Sequence, residues 1–253
     1  MKKIAGALCL SLIALAACDN GKKDNGRIEL ESYSYDCIQQ LTDSVEQTLE
    51  ETKYWRSVGH GVLPVSIGGE SVEALRDTLQ AMGQVVFTPE GKATPETSVE
   101  LTPTDLDPLK TDACSTSTNE LCVWLVTPKV IVWEDYASYY PCRAAHGRYA
   151  TTYLNYSLVD HKILTLNDIF KPGYRGELVS LLKEKLQENP DVFDGADITV
   201  PDVFCITSEG IKFVYGIYSI APYSAGEISV PFQYYEIDHL LSPLGESLIG
   251  SGF

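Results

Sequence analysis

Segments rich in β-branched and aromatic residues cluster in the second half of the chain, and this clustering most strongly restricts the folds open to it. Such a composition is typical of strands. The predicted strands are residues 121–126, 130–133, 149–158, 203–207, 211–218 and 227–232. Ser208-Glu209-Gly210 predicts a tight turn, so the fourth and fifth strands should form a hairpin. Clustered strands with inserted helices favour an α+β fold, with an antiparallel or mixed sheet and helices packed on one side, over a doubly wound parallel sheet.

Three segments space their apolar residues as amphipathic helices do. The predicted helices are residues 39–52, 72–82 and 176–186. The second should end at Gly83, where a C-terminal cap is expected, and the third stops before Asn189-Pro190. Residues 88–118 contain four prolines, many threonines and little periodicity, which predicts a long loop or an insertion.

The first seventeen residues have the organisation of an export signal. Lys2 and Lys3 precede an apolar run that is shorter than the roughly 20 residues needed to cross a bilayer. The run ends in Leu15-Ala16-Ala17-Cys18, which resembles the lipobox of bacterial lipoproteins, where the cysteine is acylated and becomes the new N-terminus. The alternative is an ordinary secretory signal with an incidental cysteine.

This interpretation divides the chain into four parts. They are a signal peptide at residues 1–17, a flexible tether at 18–27, an N-terminal α+β module at 28–119 and a C-terminal α+β domain at 120–253. Acyl chains on Cys18 would hold the protein at a membrane of the cell envelope, on its periplasmic face or at the cell surface. Which membrane holds the lipid does not follow from the sequence.

The chain is strongly acidic, with a formal net charge of −16. Loss of residues 1–17 removes two lysines and no acids, so 17 basic and 35 acidic residues remain. This balance argues against nucleic acid and against direct docking on anionic lipid, because both need basic residues to neutralise phosphates. It suits a basic partner, and it also suits an exported protein that only needs to stay soluble.

Five cysteines remain if Cys9 leaves with the signal and Cys18 is acylated. They are Cys37, Cys114, Cys122, Cys142 and Cys205. In an oxidising compartment one or two disulfides are expected, with one thiol left over, and the spacing does not choose among the pairings. No two of these cysteines stand at zinc-ligand spacing, so no metal and no cofactor is predicted.

Several blocks of the second half resemble a known extracytoplasmic domain as an ordered set. They are Ala145-His146-Gly147, Tyr153-Leu154-Asn155-Tyr156, residues 164–170, the hairpin 204–215, and residues 218–226 followed by Ile228-Ser229-Val230-Pro231-Phe232. Over roughly residues 120–240 the chain resembles the lysozyme-binding domain of RsiV anti-sigma factors, which is shared with PdaC deacetylases and with lipoproteins of unknown function. The resemblance implies an α+β ligand-binding module. It does not imply anti-sigma or deacetylase activity, since only Met1 to Lys3 precede the apolar run and there is no room for a catalytic domain.

The resemblance also indicates candidate ligand-binding residues, namely His146, Gly147 and Tyr223. Each has a purely structural alternative, because a histidine, a glycine and a tyrosine in turns often serve the fold alone. The family pattern Gly-Gly-Ala-His-Gly is changed here to Ala144-Ala145-His146-Gly147 after Arg143, so the loop is expected to differ.

No catalytic motif is recognisable, and no catalytic residue is predicted. We therefore expect a lipid-anchored envelope module that binds or senses a ligand, with muramidase-type proteins or peptidoglycan fragments as candidates from the resemblance. The alternative is an envelope glycan-active enzyme, or an accessory subunit of one, that uses Glu134 and Asp135. Asp191, Asp194 and Asp197 lack the spacing of a calcium loop and predict a solvated acidic loop.

Overall fold

The computed structural model describes residues 27–41, 54–96 and 101–249, together with the backbone of residues 13–16. The chain has the predicted α+β fold and divides into two compact units, residues 1–113 and 114–253. The strand pairings described within each unit are antiparallel.

The described residues of the first unit form seven strands and one helix. They are β1 (Ile13–Ala16), β2 (Arg27–Leu41), β3 (Tyr54–Ile67), β4 (Glu70–Ser71), α1 (Glu73–Met82), β5 (Val85–Phe87), β6 (Ala93–Pro95) and β7 (Leu101–Pro103). The long strands β2 and β3 pair along most of their length, with β1 and β7 beside β2. Leu75 and Leu79 of α1 are buried, and the Arg76 guanidinium bonds the carbonyl of Pro64 on β3.

Three sequence predictions concern this unit. The helix predicted at 72–82 is confirmed as α1, and the amide of Gly83 caps it by donating to the carbonyl of Leu79 at 2.9 Å. The helix predicted at 39–52 is wrong at its start, because residues 39–41 complete β2 and pair with β7, and Gln39 and Gln40 also pair with β3. Residues 42–52 lie outside the described residues. The loop predicted at 88–118 is interrupted by β6 and β7.

The second unit contains a four-stranded and a three-stranded sheet with helices beside them. The first sheet consists of β8 (Ser115–Val126), β9 (Val130–Tyr140), β10 (Arg148–Ser157) and β11 (Lys162–Ile163), and the second of β12 (Phe204–Ile206), β13 (Gly210–Tyr215) and β14 (Ile228–Gln233). The helices are α2 (Leu166–Ile169), α3 (Arg175–Leu186), α4 (Tyr234–Ile237) and α5 (Pro243–Ile249). The predicted hairpin is confirmed by the β12–β13 pairing, and the third predicted helix by α3.

The core of this unit lies where the three-stranded sheet and the helices meet one end of the larger sheet. Val132 of β9, Leu182 of α3, and Phe213 of β13 are all fully buried there. The Asn155 side chain of β10 joins the sheets, because its amide donates to the carbonyl of Phe204 at 2.9 Å and its oxygen accepts from the amide of Ile206 at 2.8 Å.

One disulfide closes the second unit, between Cys114 and Cys142. Cys37, Cys122 and Cys205 are free thiols. Cys205 is fully buried, and burial raises the pKa of its thiol to about 12, so this cysteine packs as an unreactive group.

Candidate functional site

Strand alternation gives the sheet of β8, β9 and β10 two chemically different faces. We call them the Glu134 face and the Trp133 face, after two neighbouring residues of β9. The register places Cys122, Glu134 and Tyr153 opposite one another across the three strands of the Glu134 face. Beyond the end that the core covers, this face carries half-exposed aromatic and acidic side chains, and it is the candidate site.

His146, Tyr218 and Tyr223 form a group that we call the turn cluster. The His146 ring stacks on the Tyr223 ring with centroids 4.0 Å apart, and Nε2 of His146 lies 3.2 Å from the hydroxyl of Tyr218. Because Nδ1 of His146 lies 3.0 Å from the Gly147 carbonyl, which can only accept, Nδ1 carries the proton in the neutral ring and Nε2 accepts from Tyr218. The three residues come from two turns that are far apart in sequence.

The loop from β9 to β10 presents His146 and is built by close backbone contacts. A side chain at Gly147 would place its Cβ 2.8 Å from the Tyr139 carbonyl, so only glycine fits. Arg143 adopts a φ of 63°, and the Tyr140 hydroxyl donates to the Ala144 carbonyl at 2.8 Å. A cavity of about 280 Å³ lies beside His146 and is lined by Tyr139, Pro141, Ala144, Ala145, His146 and Arg148.

The second turn, residues 216–227, presents the two tyrosines. Tyr218 is 55% exposed and has a φ of 64°, a left-handed conformation that costs energy for a bulky residue. Gly226 has a φ of 73°. The turn is fixed by Glu227, whose carboxylate accepts from the amide of Thr151 at 2.8 Å and from its hydroxyl at 2.7 Å.

Tyr149 connects the turn cluster to the sheet. Its ring meets the Tyr223 ring edge-on at 6.3 Å and lies 6.1 Å from the Tyr136 ring. Burial, and then the neighbouring Glu227 carboxylate, raise the pKa of Tyr149, so its phenol stays neutral. The predicted residues His146 and Tyr223 thus meet, while sequence reasoning missed Tyr149 and Tyr218.

A second group, the Trp124 cluster, lies further along the Glu134 face and consists of Trp124, Glu134, Tyr153 and Lys212. Lys212 Nζ lies 4.8 Å from the Trp124 ring centroid and 4.6 Å from that of Tyr153, and it donates to the Tyr153 hydroxyl at 2.9 Å. The Tyr153 hydroxyl donates in turn to Oε2 of Glu134 at 2.6 Å. Burial, and then the hydrogen bond to Glu134, raise the pKa of Tyr153.

Trp124 lies in a β-bulge, on the same face of β8 as Cys122. Val123 pairs with Trp133 and Leu125 pairs with Val132, so Trp124 is the extra residue of the bulge. Bulges are frequent beside functional sites. The Trp124 ring stays 40% exposed.

The Trp133 face is buried along residues 131–135 of β9. Trp133 is 0% exposed and Asp135 is 4% exposed. Burial raises the pKa of Asp135 to about 7. Glu134 and Asp135, the acids of the enzymatic alternative, therefore project from opposite faces of β9 and cannot act together on one bond.

The remaining residues considered from the sequence are Cys18 and the three aspartates of the acidic loop. Cys18 lies outside the described residues. Asp191, Asp194 and Asp197 are exposed in turns after α3, beside an open cavity of about 410 Å³ lined by residues of 183–198. Across residues 27–41, 54–96 and 101–249, no three acidic, histidine or cysteine side chains are grouped as metal ligands.

Comparison with known proteins gives a family of unknown function and two related folds. Residues 167–235 match the family described as "Protein of unknown function (DUF3298)". A member of that family from Bacteroides fragilis NCTC 9343 superimposes with a TM-score of 0.63 at 21% identity, over 89% of this chain and 98% of the other. A second, from Pseudomonas aeruginosa PAO1, gives a TM-score of 0.57 at 17% identity, over 87% and 97% of the two chains. No curated protein matches.

The two structures share the fold of this chain over 89% and 87% of its length, well beyond the segment that matches the family. The matched segment begins at Asn167 and ends at Tyr235, and so includes Lys212, Tyr218, Tyr223 and Glu227 but not His146. The finer resemblance to the RsiV-like domain stays a prediction.

Proposed function

We propose that this chain is a lipid-anchored protein of the cell envelope whose residues 114–253 bind a ligand without catalysing a reaction on it. The turn cluster is the proposed contact surface. Its ligand is a protein or a glycan of the envelope, and the sequence resemblance makes muramidase-type proteins and peptidoglycan fragments the candidates to test first.

The stacked pair of His146 and Tyr223 is the observation that carries this proposal. Two loops are held in strained or tightly packed conformations, at Tyr218 and Gly147, and the result is an exposed group of three rings. Strain that persists at a surface, where packing does not demand it, is typical of recognition sites. Tyrosine in particular supplies a rigid apolar face together with a polar tip.

Calorimetric titration of the acylated chain in detergent tests the binding role. One titrant is a basic muramidase and the other is a soluble peptidoglycan fragment. We expect one of them to bind, and Tyr223→Ala and His146→Ala each to weaken that binding about tenfold. Tyr235→Ala is the matched control, because Tyr235 is 74% exposed and lies outside the cluster. Absence of binding by both titrants, or equal binding by all variants, would refute the proposal.

The proposed location of the protein in the cell requires a separate test. Lys2, Lys3 and the Leu15-Ala16-Ala17-Cys18 motif support export and acylation. In residues 27–41, 54–96 and 101–249, no helix combines the length and apolar character that a membrane crossing needs. Mass spectrometry of the native product should find residues 1–17 removed and Cys18 carrying acyl chains, whereas Cys18→Ala should release the protein from the membrane fraction. An unmodified Cys18 thiol would contradict the anchor.

A further inference from the structure

We infer that the Trp124 cluster is a second binding site, one that accepts an uncharged sugar ring of an oligosaccharide. The inference does not depend on what the turn cluster binds. It rests on the hydrogen-bonding capacity left open in the cluster, on the exposed indole beside it and on the balance of charge.

The cluster has unused donors at one end and an unused acceptor at the other. The ammonium of Lys212 gives one hydrogen to Tyr153, and no other described residue accepts from it. Glu134 accepts from Tyr153 through Oε2, while Oε1 has no partner among the described residues. A sugar hydroxyl both donates and accepts, so adjacent hydroxyls of one ring match a donor and an acceptor held on either side of a tyrosine.

The indole supplies the apolar part of the site. Trp124 is 40% exposed, and it continues the alternation of exposed residues along β8 that also includes Cys122 and Val126. A pyranose ring presents a face of C–H groups that packs against an aromatic surface, and this contact needs an exposed ring that does not move. Lys212 packs against both Trp124 and Tyr153 and restricts both rings.

Charge separates a sugar from the other ligand classes. Lys212 and Glu134 together carry no net charge, so the cluster favours neither a cation nor an anion. The interface with a folded protein typically takes about 800 Å² from each partner, whereas three side chains around one indole match a ligand of a few rings. Tyr153 and Tyr149 are four residues apart on β10, about 13 Å, so the site is separate from the turn cluster.

Titration with the β-1,4-linked trimer of N-acetylglucosamine, an uncharged probe, tests the inference. Calorimetry on the detergent-solubilised chain should show binding in the micromolar to millimolar range. Trp124→Ala and Lys212→Met should each weaken it about tenfold, while Tyr235→Ala leaves it unchanged. Urea unfolding of each variant checks that the fold is retained, and Trp124→Ala, which alters an exposed ring, keeps the test valid if Lys212→Met does not fold.

The same titration on Tyr223→Ala separates this inference from the proposed function. Unchanged trimer binding in Tyr223→Ala, with loss in Trp124→Ala, supports a second site. Loss in Tyr223→Ala with full binding in Trp124→Ala would place the sugar at the turn cluster and overturn the inference, while leaving the proposed function intact. Failure of the trimer to bind at millimolar concentration would also overturn the inference. This holds even if a basic muramidase binds the chain and its binding is insensitive to Trp124→Ala.

Discussion

The two faces of β9 treat polar side chains in opposite ways. On the Glu134 face, the carboxylate of Glu134 and the phenol of Tyr153 bond each other at 2.6 Å and remain in contact with water. Around Trp133 and Asp135 on the Trp133 face, the side chains are excluded from water, yet three polar atoms there have no partner among the described residues. They are Asn119 Nδ2, Trp133 Nε1 and Asp135 Oδ1.

The difference separates residues that stabilise the fold from residues available for recognition. A buried polar atom without a partner costs stability, whereas a paired polar group at the surface contributes little to it. Changes on the Trp133 face should therefore alter the free energy of unfolding, and changes on the exposed part of the Glu134 face should alter binding. Four substitutions test this division, from the largest expected effect to the smallest.

Trp133→Ala and Trp124→Ala compare the same substitution on the two faces. Trp133 is fully buried, so its loss leaves a large cavity and should lower the free energy of unfolding by about 3–5 kcal/mol. Trp124 is 40% exposed, and its loss should cost about 1 kcal/mol or less. Urea unfolding followed by circular dichroism measures both, and equal costs would remove the distinction between the faces.

Asn155→Ala tests the covered end of the Glu134 face. It would leave the buried carbonyl of Phe204 and the amide of Ile206 without partners, which should cost about 3 kcal/mol. The comparison variant is Asn167→Ala on the exposed side of α2, for which a change within about 0.5 kcal/mol is expected. A loss of less than about 1 kcal/mol in Asn155→Ala would mean that other groups join the two sheets.

Asp135→Asn tests the pH dependence of the Trp133 face. The pKa of Asp135 is about 7 in the fold against 3.8 for a free side chain, so the folded state holds a proton that the unfolded state releases. The contribution of Asp135 to the free energy of unfolding is therefore fully present below about pH 4, falls as the pH rises towards 7 and stays low above it. At pH 8, Asp135→Asn should raise the free energy of unfolding by on the order of 2 kcal/mol. It should not recover the whole loss, because the neutral amide keeps part of the burial cost.

Unfolding by urea at pH 4 and at pH 8 measures this effect. Glu134→Gln serves as the control on the other face and should leave the difference between the two pH values in place. If Asp135→Asn is no more stable than the parent chain at pH 8, then Asp135 is ionised in the fold and has a partner.

Tyr223→Ala should have the smallest effect on stability and a clear one on binding. The Tyr223 ring is half-buried against His146 at the surface, so its removal should lower the free energy of unfolding by about 1 kcal/mol or less. Thermal unfolding of the free protein measures this cost beside the tenfold loss of affinity expected above. A large loss of stability would make the turn cluster a structural element.

Local signals predicted part of the fold well. The leucines of α3 repeat at helical spacing, so the helix could be predicted directly from the sequence. The turn at Ser208-Glu209-Gly210 lies between two apolar runs, so the hairpin could be predicted in the same way. Leu41, Val45 and Leu49 have the same helical spacing, yet residues 39–41 belong to a strand that pairs with β7, and Gln39 and Gln40 also pair with β3. Tertiary pairing overrides local periodicity there, and no local signal reports it.

The site was predictable only in part, for a similar reason. His146 and Tyr223 stand in recognisable turns, but their contact depends on how two loops 70 residues apart meet over β10. Lys212 and Trp124 have no sequence signal, because the cluster depends on contacts between strands that are far apart in sequence. The capping box of α2, formed by Thr165 and Asp168, is a recognisable sequence motif, but it was not predicted.

The contact between Glu227 and Thr151 has a consequence for how these molecules behave when they are crowded together. The outer edge of β10 next to Thr151 carries backbone amides that a foreign strand could use to extend the sheet. The Glu227 carboxylate already occupies the Thr151 amide at 2.8 Å, and it places a negative charge where an incoming strand would have to lie. This single side chain therefore works against edge-to-edge aggregation, a hazard that grows when many copies are confined to the same two-dimensional surface.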